Sequence, residues 1–132
     1  MNIVTENSGV PAAVLIRALE PREGLSIMCV NRDCQHNGRA EIKWRDLCAG
    51  PAKLCQALGI DRSFDGVKLS QHDGAIRVEV GLQFGDDEIA SSPRINIRGD
   101  AAAVQAHLRW YVAGNLCVSN NVKRVSKNSN PG

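Results

Sequence analysis

The chain has 132 residues, of which 43% are hydrophobic and 4% aromatic, and its formal net charge is +2. This length fits one domain with a single core. No apolar run approaches the ~20 residues that a membrane-spanning helix needs, and the first residues show neither the basic nor the apolar region of a signal peptide. We therefore expect a cytoplasmic protein, and a charge of +2 is too small to identify its partners.

Basic residues are concentrated in the first half of the chain. Their density suits phosphate contacts, although on charge alone a solvated helix surface is the favoured interpretation. These residues are Arg17, Arg22, Arg32, Arg39, Lys43, Arg45 and Lys53. The five cysteines are an odd number, which in a cytoplasmic chain favours reduced thiols over a disulfide framework.

A strand and a helix are the first predicted elements. Val10–Leu19 is β-branched and apolar and follows a glycine, which predicts a buried strand. Arg17 lies within it and needs either a carboxylate such as Glu20 or a polar cavity; the residues alone leave both possibilities open. Arg22–Asn31 is predicted to be a helix. Its inward-facing residues are predicted to be Leu25, Ile27 and Met28.

A polar loop and a second helix follow. Asn31–Arg39 is polar, contains Asn-Gly and is predicted to be a loop. Pro51–Leu58 is predicted to be a helix, because proline suits the first helical position and Gly59 suits the residue after the last turn. The apolar side of this helix is predicted to consist of Leu54, Leu58 and either Cys55 or Ala57.

The second half of the chain is predicted to be mainly strand. Alternation of apolar and polar residues predicts two antiparallel strands on either side of an acidic loop, followed by a helical turn and a third strand. In order, these elements are Ala75–Leu82, the loop Gly85–Pro93, Arg94–Arg98, the turn Ala101–His107 and Leu108–Val112. Asn120–Gly132 is predicted to be a disordered tail. Residues 1–119 then form a single α+β domain with a curved antiparallel or mixed sheet and a few short helices.

Three segments carry a family resemblance. They are VLIRALEPREGL at Val14–Leu25, LCAGPAKLCQALGIDRSFDG at Leu47–Gly66 and LRWYVAGNLCVS at Leu108–Ser119. Together they resemble the alkyladenine (3-methyladenine) DNA glycosylases, in the family's order and at similar spacing. The resemblance implies an open, barrel-like mixed sheet. It also implies an enzyme that flips damaged purines out of duplex DNA and hydrolyses their N-glycosidic bond. The expected location is then the nucleoid-associated cytoplasm of a bacterium, or the nucleus if the cell is eukaryotic.

The resemblance also assigns roles to four residues. Arg17 matches the arginine that positions the attacking water, and Asn2 matches an asparagine of a Met-Asn dipeptide that lines the base pocket. Lys53 and Arg32 match residues that lie against the DNA backbone. Water is the nucleophile in this family, so no cofactor or metal is expected. Asn96 is a departure, since family members commonly have a glycine there.

The family's catalytic glutamate, its base-stacking residues and its DNA wedge all precede the Met-Asn dipeptide. The sequence therefore resembles the C-terminal part of such an enzyme, and neither Glu6 nor Glu20 matches the missing carboxylate. Removing a general base costs ~10²–10⁴-fold in rate, so we expect the chain alone to have weak excision activity or none. The alternative is a non-catalytic DNA-binding remnant of the family.

Two further kinds of site have less support. Cys29, Cys34 and His36 lie within eight residues, but their spacing is wrong for the usual zinc modules, so buried thiols are the favoured interpretation. No serine or cysteine lies in a nucleophile signature, and His107 is predicted to be a surface or packing residue.

Overall fold

The computed structural model of the protein describes residues 1–7, 9–34, 42–70 and 74–119. Its contacts divide the chain into two units, Met1–Val80 and Gly81–Gly132. The first unit contains β1 (Asn2–Val4), β2 (Ala13–Leu15), α1 (Leu25–Asn31), α2 (Pro51–Leu58) and 3₁₀ turns at Trp44–Asp46 and Arg62–Phe64. The second contains β3 (Ile89–Ser92), α3 (Ala101–Gln105) and β4 (Arg109–Val112). The predicted tail at 120–132 lies outside the described residues.

The structure confirms a mixed helix and strand composition with antiparallel pairing. β1 pairs with β2, and β3 pairs with β4, each as a two-stranded antiparallel sheet. Neither sheet closes on itself within the described residues, so the barrel-like arrangement is not seen there. Among these residues, no helix combines the length and the apolar character that a bilayer crossing requires.

The first strand pair is shorter and more exposed than predicted. The predicted strand Val10–Leu19 is reduced to Ala13–Leu15, which pairs with β1 in the register Asn2↔Leu15 and Val4↔Ala13. All three residues of β2 are exposed, so the prediction of a buried strand is wrong. Apolar, β-branched residues favour a strand, but a two-stranded sheet leaves a face in solvent where no further layer packs on it, and the described residues leave all of β2 exposed.

Helix α1 starts later than predicted because Gly24, immediately before it, adopts a left-handed conformation with φ of 68°. Only one of its predicted inward-facing residues, Met28, packs against the buried core. Leu25 and Ile27 are 39% and 65% exposed, so their predicted burial is wrong. A seven-residue helix packed against one neighbour buries only a narrow stripe, and the rest of its surface faces solvent.

Helix α2 begins and ends as predicted. Pro51 occupies the first turn, and Gly59 follows the last residue with φ of 65°, the left-handed conformation that glycine adopts without steric cost. Leu54 and Ala57 are fully buried, whereas Leu58 is 38% exposed. The buried cluster of the first unit consists of Leu47, Cys48, Leu54 and Ala57.

Two of the three strands predicted for the second half of the chain do not form. β3 lies within the stretch predicted to be an acidic loop, and the predicted strands Arg94–Arg98 and Ala75–Leu82 do not form. Asn96 has φ of 57°, which interrupts any extended run there, and Ala75–Leu82 has no partner strand among the described residues. The predicted turn is confirmed as α3, and the predicted third strand is confirmed as β4.

Candidate functional site

A basic cleft lies beside the start of helix α2. Its volume is about 450 Å³, and its lining residues are Arg32, Ile42, Lys43, Arg45, Asp46 and Lys53. Four cationic side chains and one carboxylate give this lining a net charge of +3. We call these six residues the basic cleft. Its charge and open shape suit an anionic ligand.

The first turn of α2 adds further positive character to the basic cleft. Gly50 precedes the helix without any side-chain cap, and the first helical hydrogen bond runs from the amide of Leu54 to the carbonyl of Gly50 at 2.8 Å. The amide groups of Ala52 and Lys53 therefore have no acceptor within the helix. Free amides and the positive end of the helix dipole both favour an anion at this position.

Lys53 itself folds back over the start of the helix. A Cβ atom placed on Gly50 would lie 3.6 Å from the Cδ atom of Lys53, in ordinary van der Waals contact. The lysine side chain therefore lies along the backbone of Gly50, while the residue as a whole remains exposed. The aliphatic part of the Lys53 side chain thus packs at the start of the helix, in the turn whose amides are unpaired.

Arg32 has a structural task in the wall of the basic cleft. It is the residue that ends α1, and its Nη1 atom donates to the carbonyl oxygens of Asp46, at 3.4 Å, and of Leu47. Asp46 is the last residue of the 3₁₀ turn at Trp44–Asp46, and Leu47 is the first residue of the buried cluster. One face of the Arg32 guanidinium is thus engaged with the protein, although the residue also lines the cleft. Its predicted contact with DNA phosphate stays a prediction.

Asn2 and Arg17 belong to the first strand pair. Asn2 is opposite Leu15 in the register, so both side chains lie on one face of the pair. The pairing continues to a bond from the amide of Ile16 to the carbonyl of Met1 at 3.1 Å. Arg17 follows Leu15 by two residues, and side chains two residues apart in an extended chain point to the same face. Arg17 thus lies two residues beyond the end of β2, close along the chain to the strand partner of Asn2.

The surroundings of Arg17 bear on the two interpretations that its sequence position left open. Arg17 is partly buried. The carboxylate of Glu20 forms an ion pair with Arg22 at 3.4 Å. Among residues 1–7, 9–34, 42–70 and 74–119, no hydrogen bond or ion pair involves the Arg17 side chain. The proposed role of Arg17 in water positioning is untested.

Lys43 and Arg45 line the cleft, but no individual role was predicted for either of them from the sequence. They appeared only as members of the basic stretch. Both flank the start of the 3₁₀ turn, in which the amide of Asp46 bonds to the carbonyl of Lys43 at 2.8 Å. The sequence signal for these two residues was their alternation just before the Leu-Cys-Ala-Gly-Pro segment. The direction in which their side chains point, however, depends on this turn.

The remaining candidates were a metal site and His107. Within the part of the chain that the structure describes, no three histidine, cysteine or acidic side chains come together as a metal site, and His36 lies outside that part. The Nδ1 atom of His107 lies 3.3 Å from the Oγ atom of Ser91 on the surface, a packing contact of the kind predicted for it.

An uncapped helix start surrounded by cations is the arrangement that nucleic-acid-binding proteins use to hold phosphate groups. The sequence model of the family described as "Methylpurine-DNA glycosylase (MPG)" matches residues 1–116 of the chain. The chain therefore belongs to the methylpurine-DNA glycosylase family, which confirms the resemblance seen in its sequence.

Individual relatives agree with this assignment. The chain is 41% identical over 122 residues to the DNA-3-methyladenine glycosylase of Homo sapiens, which covers 90% of this chain and 40% of the human protein. It is 42% identical over 124 residues to a putative 3-methyladenine DNA glycosylase of Burkholderia lata, covering 93% of this chain and 55% of that protein. A putative 3-methyladenine DNA glycosylase of Herpetosiphon aurantiacus is 37% identical over 121 residues, covering 90% and 52%. The chain spans about half the length of the curated relatives it matches.

Proposed function

We propose that this chain works in base-excision repair, as part of a glycosylase that hydrolyses the N-glycosidic bond of damaged purines such as 3-methyladenine in duplex DNA. Membership of the methylpurine-DNA glycosylase family supports this function, as do the names of the relatives. The partner is double-stranded DNA containing a damaged purine, in the compartment that holds the DNA. No metal or other cofactor is expected.

The observation that carries the proposal is the meeting of the basic cleft with the uncapped first turn of α2. Lys53, Lys43 and Arg45 line the cleft, and the amides of Ala52 and Lys53 lack helical acceptors at its edge. A phosphate of the DNA backbone would accept hydrogen bonds from these amides while the three cations neutralise it and its neighbours. Such contacts fix the position of the duplex and carry no sequence information.

The chemistry would take place on the exposed face of the first strand pair. Arg17 would hold the water that attacks the sugar carbon, and Asn2 would present its amide to the edge of the flipped purine. The position of Arg17 two residues after Leu15, the strand partner of Asn2, supports this pairing of roles. The general base is a glutamate that the family carries ahead of the Met-Asn dipeptide. In the barrel-like sheet that the family resemblance implies, β1 and β2 would belong to a larger sheet.

The second candidate is a duplex-binding module that does not excise. One observation favours it for this chain: every residue of the basic cleft lies between positions 32 and 53, so the phosphate site needs no other part of a glycosylase. We expect the 132-residue chain to bind duplex DNA and to release the damaged base slowly or not at all.

Paired assays on one preparation test the proposal. A duplex with one 3-methyladenine and an undamaged control duplex are incubated with the chain, and free base and bound DNA are both measured. We expect binding to both duplexes, with base release near the spontaneous rate. If the chain releases base faster than the spontaneous rate and Arg17→Ala lowers this release, the result would support catalysis that uses Arg17. Absence of binding at ~50 mM salt, where phosphate contacts are strong, would contradict the proposal.

A further inference from the structure

Two cysteines are brought together by the way α1 ends. Asp33 adopts a left-handed conformation with φ of 54°. The amide of Asp33 bonds to the carbonyl of Val30 at 2.9 Å, and the amide of Cys34 bonds to the carbonyl of Cys29 at 3.0 Å. This pair of hydrogen bonds defines a Schellman motif, in which the third-last helical residue and the second residue beyond the helix cap come into side-chain contact. Cys29 and Cys34 occupy these two positions.

The Schellman motif places the two thiols on neighbouring positions of the same turn. Burial raises the pKa of the Cys34 thiol above its ordinary value, and the hydrogen bond and charge of the Cys29 thiol raise it further. The raised pKa disfavours the Cys34 thiolate, so Cys29 is the thiol that attacks first. Both residues are partly exposed, so a small oxidant can reach them. In a short turn closed by a 3.0 Å backbone bond, the two Cα atoms are held close together, as a disulfide requires.

The other three thiols are placed differently. Cys48 and Cys117 are 1% and 2% exposed, and the Cys48 thiol lies 4.0 Å from the Sδ atom of Met28 within the core. The Cys55 thiol accepts a hydrogen bond from the amino group of Met1 at 3.3 Å. All five cysteines are reduced in the structure, and Cys29 with Cys34 is the pair whose backbone geometry brings two accessible thiols into contact.

We propose that Cys29 and Cys34 are a reversible dithiol–disulfide site that is oxidised by hydrogen peroxide. The Cys29 thiolate attacks a peroxide oxygen, which breaks the O–O bond and yields a sulfenic acid on Cys29 and one water after proton transfer. The second thiol attacks the sulfenic sulfur, the S–S bond forms, and the hydroxyl leaves as a second water. Two thiols lose two electrons in total, and one peroxide is reduced to two waters.

The disulfide closes a ring of six residues that contains Arg32. The side chain of Arg32 holds the carbonyls of Asp46 and Leu47 in the wall of the basic cleft. Because the ring encloses the left-handed residue Asp33 as well as Arg32, oxidation locks the end of α1 in the conformation that positions this arginine. The inference does not depend on the proposed function, since it concerns thiol chemistry alone.

The test uses the whole 132-residue chain. The protein is reduced, freed of reductant, exposed to one to two equivalents of hydrogen peroxide and alkylated with iodoacetamide under denaturing conditions. We expect three of the five cysteines to be alkylated after peroxide, a 2 Da loss of mass before alkylation, and return to five after dithiothreitol. Trypsin cuts after Arg32, between the two cysteines, so the disulfide will join the peptides 23–32 and 33–39.

Variants make the assignment specific. Cys34→Ser and Cys29→Ser should each abolish the 2 Da loss, whereas Cys55→Ser should retain it. The proposal is overturned if peroxide leaves all five thiols open to alkylation. It is also overturned if the disulfide maps to another pair or joins two chains, or if the 2 Da loss persists in both variants of the pair.

Discussion

The contribution of Lys53 to duplex binding can be measured from the salt dependence of the binding constant. Each cation that neutralises a phosphate releases counterions, and log K falls with log salt by ~0.9 per phosphate contact on B-DNA. Arg32 is engaged with backbone carbonyls, so Lys43, Arg45 and Lys53 are the available contacts of the basic cleft. Three contacts give a slope of about −2.7, and Lys53→Ala reduces it to about −1.8. Between 50 and 200 mM salt, affinity falls ~40-fold for the native chain and ~12-fold for the variant.

The assay is fluorescence anisotropy of a labelled, undamaged duplex titrated with each protein at several salt concentrations. Lys68→Ala is the matched control, because Lys68 is an exposed lysine of the same unit that does not line the basic cleft. The reasoning is refuted if Lys53→Ala leaves the slope unchanged. It is also refuted if Lys68→Ala lowers the slope by the same amount, since binding would then reflect overall charge.

Three further predictions concern stability and ionisation. Leu54→Ala removes a side chain with 0% exposure and should lower the free energy of unfolding by ~2.7–5 kcal/mol in urea titrations; Leu58→Ala, at 38% exposure, should cost clearly less, and equal losses would contradict the assigned core. Hydrogen bonds from Ser63 to the Asp61 carboxylate lower its pKa, so this carboxylate adds stability above its unfolded pKa that is lost as pH falls through the folded pKa. An NMR titration should show the lowered pKa, and Ser63→Ala should move it back up. Asn96 has φ of 57°, so Asn96→Ala should lower the unfolding free energy by ~1 kcal/mol and Asn96→Gly should not; the reverse order in thermal melts would argue against the left-handed backbone.

The confirmed predictions of helices and strands depend on residues within or next to each element. Helix α2 has a proline in its first turn and a glycine after its last residue, and these signals act within a few residues, so both ends could be predicted. Strand β4 and the helical turn α3 were likewise predicted within a few residues. Asn96 was singled out as a departure from a glycine position, and its left-handed backbone explains why glycine suits it.

The wrong predictions concerned contacts between one element and another, which the residues of a single element do not determine. The apolar run around Val14 predicts a strand, and a strand forms, but nothing in the run determines whether another layer covers it; β2 is exposed. The alternation at Arg94–Arg98 predicts a strand equally well, yet the partner of β4 is Ile89–Ser92. A strand needs a partner as well as a pattern, and partner choice is a tertiary property.

The residues of the candidate site also divide into those predicted from the sequence and those found only in the structure. The resemblance selected Lys53 and Arg32, and the structure places both in the lining of one cleft. Lys43 and Arg45 were not selected, because a short 3₁₀ turn and the carbonyl contacts of Arg32 decide which way they face. The contact of Cys29 with Cys34 could not be predicted either, since it follows from the left-handed conformation of Asp33.

The most direct test of the phosphate site is an amide ¹H–¹⁵N NMR titration of the 132-residue chain with an undamaged duplex at low salt. We expect the largest shift changes at the amides of Ala52 and Lys53, with further changes at Lys43 and Arg45. Much smaller changes are expected at α3, Ala101–Gln105, none of whose residues lines the basic cleft. Changes concentrated on α3 or on β4, with the first turn of α2 unaffected, would contradict the proposal that this chain holds the DNA backbone at the basic cleft.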